Sequence, residues 1–547
     1  MRKIHRNDKR NKSNYVLATV LSVMVASTGM LSYGLINSSM HNQAEAKIEN
    51  NSTSFLKKKN TVNIVDNLSN VTFKVKIAND QFPSKIEGRN NKTLISTNNA
   101  YIGKPMPIEI EAAGMGENAV IAVNGQKLSR NDNMFTGEII LDRIDKDTNI
   151  KIEIVDGDDD REYEIRTLPQ DFPSVYFEPD NDVDNGVFYY TNFYPTTHAD
   201  YQKEIPEERR FGSYVVKYDS KGNVLFYQKS AERELVGLNR WEDDITDEKG
   251  YYYFSETSED GFGHRSYRRG EYVILDDNYR EINRIKPLKT ELHNIDDLKT
   301  EMHDFVVLGK DHYILSDYVP RDHNGVTVID TYLQEQLNGE VIWEWSSKDV
   351  PLFSDVYNND PATFEVIPSS EGTAAIDGIH TNSIFVDPSD GNIILSNRNI
   401  NAIVKIDKNT GDVIWIMGGE YNEFDLDKAE GFNHQHHARI NDDGKFMFYD
   451  NNSDGEVSRG IIADIDQENK RLSHVQELKY NDQHGMYTGS VTQVDVADQK
   501  YTLVGWGMEK KYPVIASIFD KDGQVVKNIT ADEKDGVETY RVIARRD

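Results

Sequence analysis

The sequence contains no cysteine among its 547 residues. Disulfide bonds, thiolate metal sites and a cysteine nucleophile are therefore excluded. An exported form of this chain would depend on its hydrophobic core, and the chain is long enough to bury one. The length itself predicts several domains, or one large repeat architecture with an appendage.

Positive charge is also in short supply. The chain has 62 Lys and Arg against 92 Asp and Glu, a formal net charge of −30. Such a surface repels phosphate backbones, so no nucleic acid is expected as a partner. A site for an anionic substrate must therefore bring its own local cations or hydrogen-bond donors.

Helical periodicity is scarce, whereas aromatic residues are common. The chain has 29 Tyr and 21 Phe, and aromatic residues make up 10% of it. Aromatic side chains are enriched in strands. The composition therefore predicts an all-β fold.

The N-terminus has the order of a secretory signal. Residues 2–12 are basic, an apolar stretch follows over 15–36, and Ala44-Glu45-Ala46 has the small-x-small form of a signal-peptidase site. An uncleaved anchor is the alternative, because the apolar stretch approaches the length that spans a bilayer. We therefore predict a signal peptide or membrane anchor over 1–46 and an extracellular or cell-surface location. Residues 47–60 are polar and are predicted to form a linker.

Residues 61–165 alternate apolar and polar side chains in short runs. Ile108 and Ile110 point one way, as do Ile152 and Ile154, and Asn124-Gly125 is a hairpin-turn signal. This pattern predicts a small N-terminal β-sandwich domain. The segment contains no histidine, so a structural role, or the interface of a homodimer, is favoured over catalysis.

From residue 166 onward the sequence repeats. A turn followed by an aromatic or apolar strand recurs at Gly186, Gly250, Asp311, Gly391, Gly444 and Lys500. The spacing is roughly 50 to 80 residues, the range of propeller blades with insertions. Units of about four strands bury both faces when they stack radially. Six starts predict a six-bladed β-propeller over 166–547. A tandem of sandwiches would not explain why one strand-turn-strand hairpin recurs in one register.

Histidines occupy matching places in three consecutive repeats. His303 lies just before the aromatic strand of the third unit, His380 at the same place in the fourth, and His434, His436 and His437 in the fifth. A single loop histidine is usually structural. Equivalent positions in successive blades, however, point into one central channel, so these side chains are predicted to gather at one end of it.

The predicted site has the chemistry to bind an oxyanion. Arg398 interrupts a run of apolar and small polar residues after the fourth-unit strand, and its fork of donors suits a pair of anionic oxygens. A salt bridge to one of the many carboxylates is the alternative role. Several histidines and an arginine fit the transfer of a sulfuryl or phosphoryl group. A metal site with Asp304 or Asp377 as further ligands remains equally open at this point.

One long motif resembles a known family. Asp377-Gly-Ile-His-Thr-Asn-Ser-Ile, the stretch from Asp390 to Asp407 that contains Ser-Asn-Arg-Asn-Ile-Asn-Ala-Ile, and Gln435-His436 leading to Phe448-Tyr-Asp-Asn-Asn are similar to the signature of the bacterial arylsulfate sulfotransferases. The resemblance covers nearly everything after the linker. It implies a six-bladed propeller that moves a sulfuryl group from a phenolic sulfate ester to a phenol acceptor, with no nucleotide donor, cofactor or metal.

The resemblance also implies roles for individual residues. His436 matches the nucleophile that becomes sulfohistidine, while His303, His380 and Arg398 match residues that hold the sulfuryl oxygens and assist the phenols. Asn382 is expected to add a donor to the substrate. His437 stands where relatives often carry an acidic residue. An aryl sulfate hydrolase and a non-catalytic ligand-binding propeller are the alternatives.

Overall fold

The computed structural model describes residues 61–65, 72–77, 88–89, 92–95, 105–140, 149–157 and 159–167 of the first part of the chain. From 172 to 546 it describes all residues except 196–212, 231–232, 258–266, 295–297, 359–364, 368–373, 453–456, 482–487, 508–512 and 533–536. The predicted signal or anchor and the predicted linker lie outside the described residues. The chain divides into two compact units, Met1–Leu168 and Pro169–Asp547.

The first unit contains two sheets. Their strands are β1 (Thr61–Val65), β2 (Thr72–Ile77), β3 (Gly88–Arg89), β4 (Lys92–Ile95), β5 (Pro105–Ala113), β6 (Val120–Val123), β7 (Gln126–Lys127), β8 (Ser129–Asn131), β9 (Met134–Ile140), β10 (Asn149–Asp156) and β11 (Asp159–Thr167). One sheet has the order β1-β2-β5-β9-β8 and the other β3-β4-β11-β10-β6-β7.

The predicted alternation is present in these sheets. Ile108 and Ile110 on β5 are buried, as are Ile152 and Ile154 on β10. Asn124-Gly125 forms the tight turn between β6 and β7, with φ values of 50° and 77°, the left-handed backbone that such a hairpin turn requires. The packing of the two sheets as a sandwich stays a prediction.

The second unit is built almost entirely of strands. They are β12 (Val175–Glu178), β13 (Val187–Pro195), β14 (Ser213–Asp219), β15 (Val224–Ser230), β16 (Leu235–Asp243), β17 (Glu248–Glu256), β18 (Arg269–Asp276), β19 (Glu281–Ile285), β20 (Thr300–Glu301), β21 (Phe305–Gly309), β22 (His312–His323), β23 (Val326–Leu337), β24 (Glu340–Ser346), β25 (Glu365–Ile367), β26 (Ala375–Asp377), β27 (Thr381–Val386), β28 (Ile393–Asn397), β29 (Ala402–Ile406), β30 (Val413–Gly418), β31 (His436–Ile440), β32 (Lys445–Asp450), β33 (Arg459–Asp466), β34 (Arg471–Leu478), β35 (Ser490–Val496), β36 (Gln499–Gly505), β37 (Val514–Phe519), β38 (Val525–Ala531), β39 (Val537–Glu538) and β40 (Val542–Arg546). One short α-helix, α1 (Pro351–Asn358), and the 3₁₀ turns Ser347–Asp349, Arg398–Ile400 and Asp427–Ala429 complete the described elements.

These strands form six sheets in the described part of the second unit. Sheet A has the order β40-β13-β14-β15, sheet B β16-β17-β18-β19, sheet C β21-β22-β23-β24, sheet D β27-β28-β29-β30, sheet E β31-β32-β33-β34 and sheet F β35-β36-β37-β38. Strand β12 adds to the outer edge of sheet F. The short strands β20, β26 and β39 pair with β18, β23 and β13, beside the main partners of those strands, and β25 pairs with β26. Each predicted aromatic or apolar strand is the second strand of its sheet.

The sheets follow one another in a row that returns to its start. Strand β16 contacts β13 and β21, β27 contacts β21 and β31, and β35 contacts β31 and β40. Because β40 pairs with β13, the last strand of the chain is the first strand of sheet A.

The core lies between consecutive sheets. Trp415 and Met417 of sheet D pack with Phe446 and Phe448 of sheet E, for example. Similar clusters join sheets A and B, B and C, C and D, and E and F. Central strands such as β28 and β29 therefore bury side chains on both faces, which is why their sequences are so rich in β-branched residues. No helix in the described part of the chain is long and apolar enough to span a membrane.

Candidate active site

The predicted histidines lie at the start of the first strands of three neighbouring sheets. His303 comes just before β21, His380 just before β27, and His436 is the first residue of β31. All three are buried. The ring centroids of His303 and His380 are 4.8 Å apart. Both of these rings, together with Arg398, lie within electrostatic reach of the His436 imidazole. The structure therefore brings the four predicted catalytic residues together.

Several of these histidines are held in a rare backbone conformation. His380, His434 and His437 have φ values of 54°, 50° and 54°. Residues other than glycine seldom adopt the left-handed backbone region, and holding such a residue there costs on the order of 1–3 kcal/mol. Such strain is concentrated at functional sites.

His380 is bound by a carboxylate. Its Nδ1 lies 2.7 Å from Oδ2 of Asp377, which also accepts a 2.6 Å bond from the Tyr267 hydroxyl. Oδ1 of Asp377 accepts the backbone N–H of His380 at 2.9 Å. Burial would raise the pKa of Asp377, but the neighbouring His380 and these hydrogen bonds lower it. The paired carboxylate fixes the orientation of the His380 ring and directs Nε2 away from Asp377.

His303 has a similar partner. Its Nδ1 lies 2.5 Å from Oε2 of Glu301, and the same oxygen accepts the His303 backbone N–H at 2.6 Å. The other carboxylate oxygen accepts the hydroxyl of Ser316. The Tyr318 ring packs beside His303, and its hydroxyl donates to the Thr381 carbonyl at 2.5 Å. His303 and His380 are therefore both carboxylate-bound through Nδ1.

His436 differs because its Nδ1 has no carboxylate partner in the part of the chain that the structure describes. That nitrogen lies 2.9 Å from the His434 carbonyl oxygen and 3.1 Å from Oδ1 of Asn451. Both oxygens only accept, so Nδ1 carries the hydrogen and Nε2 carries a lone pair in the neutral ring. Burial, and then the positive charges of Arg398 and Arg541, hold the pKa of His436 well below its usual value. A neutral imidazole with a free Nε2 is a nucleophile.

Arg398 begins the 3₁₀ turn that follows β28. Its backbone N–H donates to the His380 carbonyl at 2.9 Å, and its Nη1 donates to Oδ1 of Asn399 at 2.8 Å. Nδ2 of Asn399 in turn donates to the Asp377 carbonyl at 2.8 Å. Among the residues that the structure describes, Arg398 forms no ion pair with a carboxylate, so the salt bridge considered from the sequence is not observed there. Its guanidinium therefore retains donors for an anionic ligand.

Asn382 is buried beside these residues, but its side chain already has a protein partner. Its Nδ2 donates to the Gln435 carbonyl at 2.8 Å. The amide thereby joins the segments that carry His380 and His436. The hydrogen bond expected from Asn382 to the substrate stays a prediction.

The two histidines on either side of His436 in the cluster have different surroundings. The His434 backbone N–H donates to Oδ1 of Asn401 at 2.9 Å, and its carbonyl binds His436. His437 is buried and lines a cavity of about 790 Å³ together with Arg439 and Arg545. Burial, followed by the charge of Arg439, holds the pKa of His437 well below its usual value.

Sequence reasoning missed other residues of the site. Tyr267, Tyr318 and Tyr540 surround the histidines, and Arg541 is buried among them. Two signals were available, because Glu301 and Asp377 lie two and three residues before their histidines. Tyr267 and Tyr540 lie far along the chain from every histidine motif, so only the folded chain reveals them.

The described residues include no group of three or more His, Asp or Glu side chains arranged to hold a metal ion. What the site does offer is a set of imidazole and guanidinium nitrogens, most of them buried, that gather from separate sheets. Enzymes that transfer tetrahedral oxyanions use donors of this kind to stabilise charge at the transferred group.

Comparison with known families identifies which oxyanion is transferred. A sequence model of the family described as Arylsulfotransferase (ASST) matches residues 178–541, more than half of the chain. The chain therefore belongs to the arylsulfotransferase family, as its motifs predict, and membership implies a sulfotransferase enzyme. No protein with a curated description matches the chain.

Solved structures resemble the chain only remotely. A protein of unknown function from Bacteroides caccae is 11% identical and covers 65% of this chain and 99% of its own, with a TM-score of 0.36. The β-propeller domain of Cps50 (Swd1) from Myceliophteria thermophila is 12% identical and covers 58% and 81%, with a TM-score of 0.30. Apo AztD from Citrobacter koseri is 10% identical and covers 66% and 98%, with a TM-score of 0.29.

Proposed function

We propose that this protein transfers a sulfuryl group from a phenolic sulfate ester to a phenol acceptor through a sulfohistidine at His436, without a nucleotide donor. The observation that supports this most directly is the state of the His436 ring. Its Nδ1 is engaged by two acceptors and its Nε2 is left as a lone pair. Of the three buried histidines at the strand starts, it is the one for which no described carboxylate binds Nδ1.

In the first half of the reaction, Nε2 of His436 attacks sulfur as the bond from sulfur to the phenolic oxygen breaks. The leaving oxygen takes a proton from an imidazolium, for which His380 and His303 are placed. In the second half, the acceptor phenol returns a proton to that imidazole and attacks the sulfur, and the bond to Nε2 breaks. Atoms, charge and protons balance over the cycle, and no cofactor or metal takes part.

Arg398 is the permanent cation for the sulfuryl oxygens in this proposal. Its guanidinium can donate two parallel hydrogen bonds, which suits two oxygens of one sulfuryl group. Burial holds the pKa of His380 below its usual value. The negative charge of the bound ester opposes this shift, because it offsets the positive charges around the site. Asn382 is proposed as a further donor to the substrate.

The wider proposal concerns the architecture and setting of the enzyme. Sheets A to F are proposed to form a six-bladed β-propeller over 166–547, closed by the pairing of β40 with β13. The region 61–165 is proposed to be a β-sandwich domain that carries a homodimer interface. Residues 1–46 are proposed to export the chain to the cell surface or beyond, followed by a polar linker over 47–60.

The test is transfer from a chromogenic aryl sulfate to an added phenol, in the absence of any nucleotide. We expect sulfated phenol as product, and sulfohistidine at His436 when donor alone is quenched rapidly and the digest is analysed by mass spectrometry. His436→Gln should lose both signals, whereas His434→Gln and His437→Gln serve as matched controls that keep a label at His436. Label on either neighbour would reassign the nucleophile. Equal release of sulfate with and without phenol would identify a hydrolase.

A further inference from the structure

Arg541 occupies the position in sheet A that the histidines occupy in sheets C, D and E. It lies immediately before β40, which is the first strand of its sheet, just as His380 lies immediately before β27. Its side chain is 92% buried. Sheet A therefore also contributes a side chain to the ring of strand starts, but from the C-terminal end of the chain, where the repeat pattern had predicted no site residue.

The guanidinium of Arg541 joins two strand starts that belong to different sheets. Its Nη1 donates to the His303 carbonyl at 2.9 Å, and its Nη2 donates to the Asn382 carbonyl at 2.6 Å. One acceptor is thus the backbone of a predicted catalytic residue, and the other lies two residues after His380. The distance between the His303 and His380 segments is set in part by this one planar group.

Further contacts fix the guanidinium itself. Its Nη1 lies 3.7 Å from Oδ1 of Asp304, and its central carbon lies 4.8 Å from the centre of the Tyr540 ring. Oδ2 of Asp304 accepts the Ile384 backbone N–H at 2.8 Å and also pairs with Arg439. Asp304, next to His303 in the chain, therefore contacts residues of sheets A, D and E. These contacts hold the Arg541 guanidinium in one orientation.

Charged or titratable groups reach His436 from sheets A, C and D. The positive or titratable groups are Arg398, Arg541, His303 and His380. Their carboxylate partners are Glu301 for His303, Asp377 for His380 and Asp304 for Arg541. On sheet E itself, Asp450 is paired with Arg459. Arg398 is proposed to bind the substrate, so Arg541 is a second permanent cation. Both of its Nη groups donate within the protein, while its Nε has no hydrogen-bond partner among the described residues.

We propose that Arg541 is a positioning residue of the sulfuryl-transfer site, which ties the His303 segment to the His380 segment and places a permanent positive charge within reach of His436. This inference rests on the proposed function. The two roles are separable, because one depends on the forked geometry of the guanidinium and the other only on its charge. A lysine retains the charge but presents a single ammonium that cannot reproduce two parallel bonds from one plane.

Two variants separate the roles. Arg541→Lys should lower kcat about tenfold or more, since small displacements of reacting groups have effects of this size. The acid limb of its pH profile, where kcat/KM for the donor falls at low pH, should lie at the same pH as in the wild-type protein. Arg541→Met removes the charge that opposes protonation of His436. Its acid limb should therefore move about one pH unit to higher pH, in addition to the loss of kcat.

Lys527→Met is the matched control. Lys527, which lies on β38 of sheet F, is also a buried cation and pairs with Asp184. Its loss should therefore lower the melting temperature without moving the acid limb. A wild-type kcat in Arg541→Lys would overturn the positioning role. Because this variant keeps the positive charge beside Asp304, it tests the positioning role even if Arg541→Met does not fold. An unmoved acid limb in folded Arg541→Met would overturn the electrostatic role.

The experiment also distinguishes this inference from the proposed function. The label on His436 in the wild-type protein is measured first, with donor alone. Its absence would contradict the proposed function before any variant is made. Its presence, together with variants that behave like the wild type in both kcat and acid limb, would contradict only the role of Arg541.

Discussion

At the scale of the residue, the site separates three buried histidines by the partner of Nδ1. His303 and His380 are bound to carboxylates through Nδ1, whereas His436 is bound to a carbonyl and an amide oxygen. Burial lowers the pKa of His380, although Asp377 opposes this shift. In the proposed reaction the same residue type serves as proton carrier at two positions and as nucleophile at the third. Environment, rather than residue type, sets the division of roles.

Arg398 provides a prediction at this scale. Arg398→Lys should lose about a hundredfold or more in turnover, the usual effect of removing one preorganised oxyanion donor. The melting temperature should change little, because no ion pair of Arg398 is present among the described residues. Steady-state kinetics beside a melting curve would measure both quantities.

The control for this prediction is Arg284→Lys, at an exposed arginine paired with Glu281 on sheet B. It should leave turnover and melting temperature near their wild-type values, since exposed pairs contribute only about 0–1 kcal/mol. Near-normal turnover in Arg398→Lys would remove Arg398 from the site.

At the scale of the element, the hairpin turns join neighbouring sheets as well as strands. Asp387 follows β27, and its carboxylate accepts bonds from the Ser389 backbone N–H, Lys405 and Gln467. Lys405 lies on β29 of the same sheet, while Gln467 lies in the β33–β34 turn of sheet E. One buried carboxylate thus links sheets D and E. Although burial opposes ionisation, these partners lower the pKa of Asp387 to about 2.

Asp387→Asn should therefore destabilise the protein by about 1–3 kcal/mol at pH 7. This is less than the roughly 3–5 kcal/mol expected when a buried charge loses every partner, because Lys405 still pairs with Asp390. A depressed carboxyl pKa contributes stability above its unfolded value, near 3.9, and loses that contribution as the pH falls towards 2. Denaturant unfolding of wild type and variant at pH 7 and pH 3 should show the difference shrinking. Asp390→Asn is the control and should destabilise the protein less, because Asp390 is a half-exposed partner of the same lysine. If the stability difference between wild type and Asp387→Asn did not change with pH, the ion-pair account would be contradicted.

The sequence predicted the elements well because each repeat carries its own local signals. The aromatic second strands and the Asn124-Gly125 turn are both where the local pattern put them, and the three histidine segments start the first strands in matching register. The sequence did not reveal Arg541 and Tyr540, because they precede β40. The partner of β40 in sheet A, β13, lies at the other end of the second unit in sequence. Glu301 lies two residues before His303, but this spacing alone does not show that the carboxylate is buried, because acidic residues are common throughout the sequence.

At the scale of the whole molecule, the second unit depends on its last strand. Val542, Ile543 and Ala544 on β40 are buried, and the strand pairs with β13 along five residues. Burying a valine or isoleucine side chain contributes about 1.5–3 kcal/mol, and the backbone bonds add to this. The total is a large share of the 5–15 kcal/mol by which native proteins are typically stable.

Removal of residues 542–547 should therefore abolish the cooperative melting transition of the second unit, or lower its midpoint by more than about 10 °C. Circular dichroism and calorimetry of the purified proteins would measure this. Removal of 546–547 alone is the control, since Arg546 is exposed and the three buried residues remain. A transition unchanged in the longer truncation would show that β40 does not hold sheet A in place.

The pairing of β40 with β13 also orders events during synthesis. Translation produces β13 long before β40, so sheet A stays incomplete until the residues of β40 have emerged. Arg541, which joins the His303 and His380 segments, is made immediately before β40. A chain that stops before Arg541 can form its intermediate sheets but not the proposed site. Sulfuryl transfer through that site is thus expected only from chains that include β40.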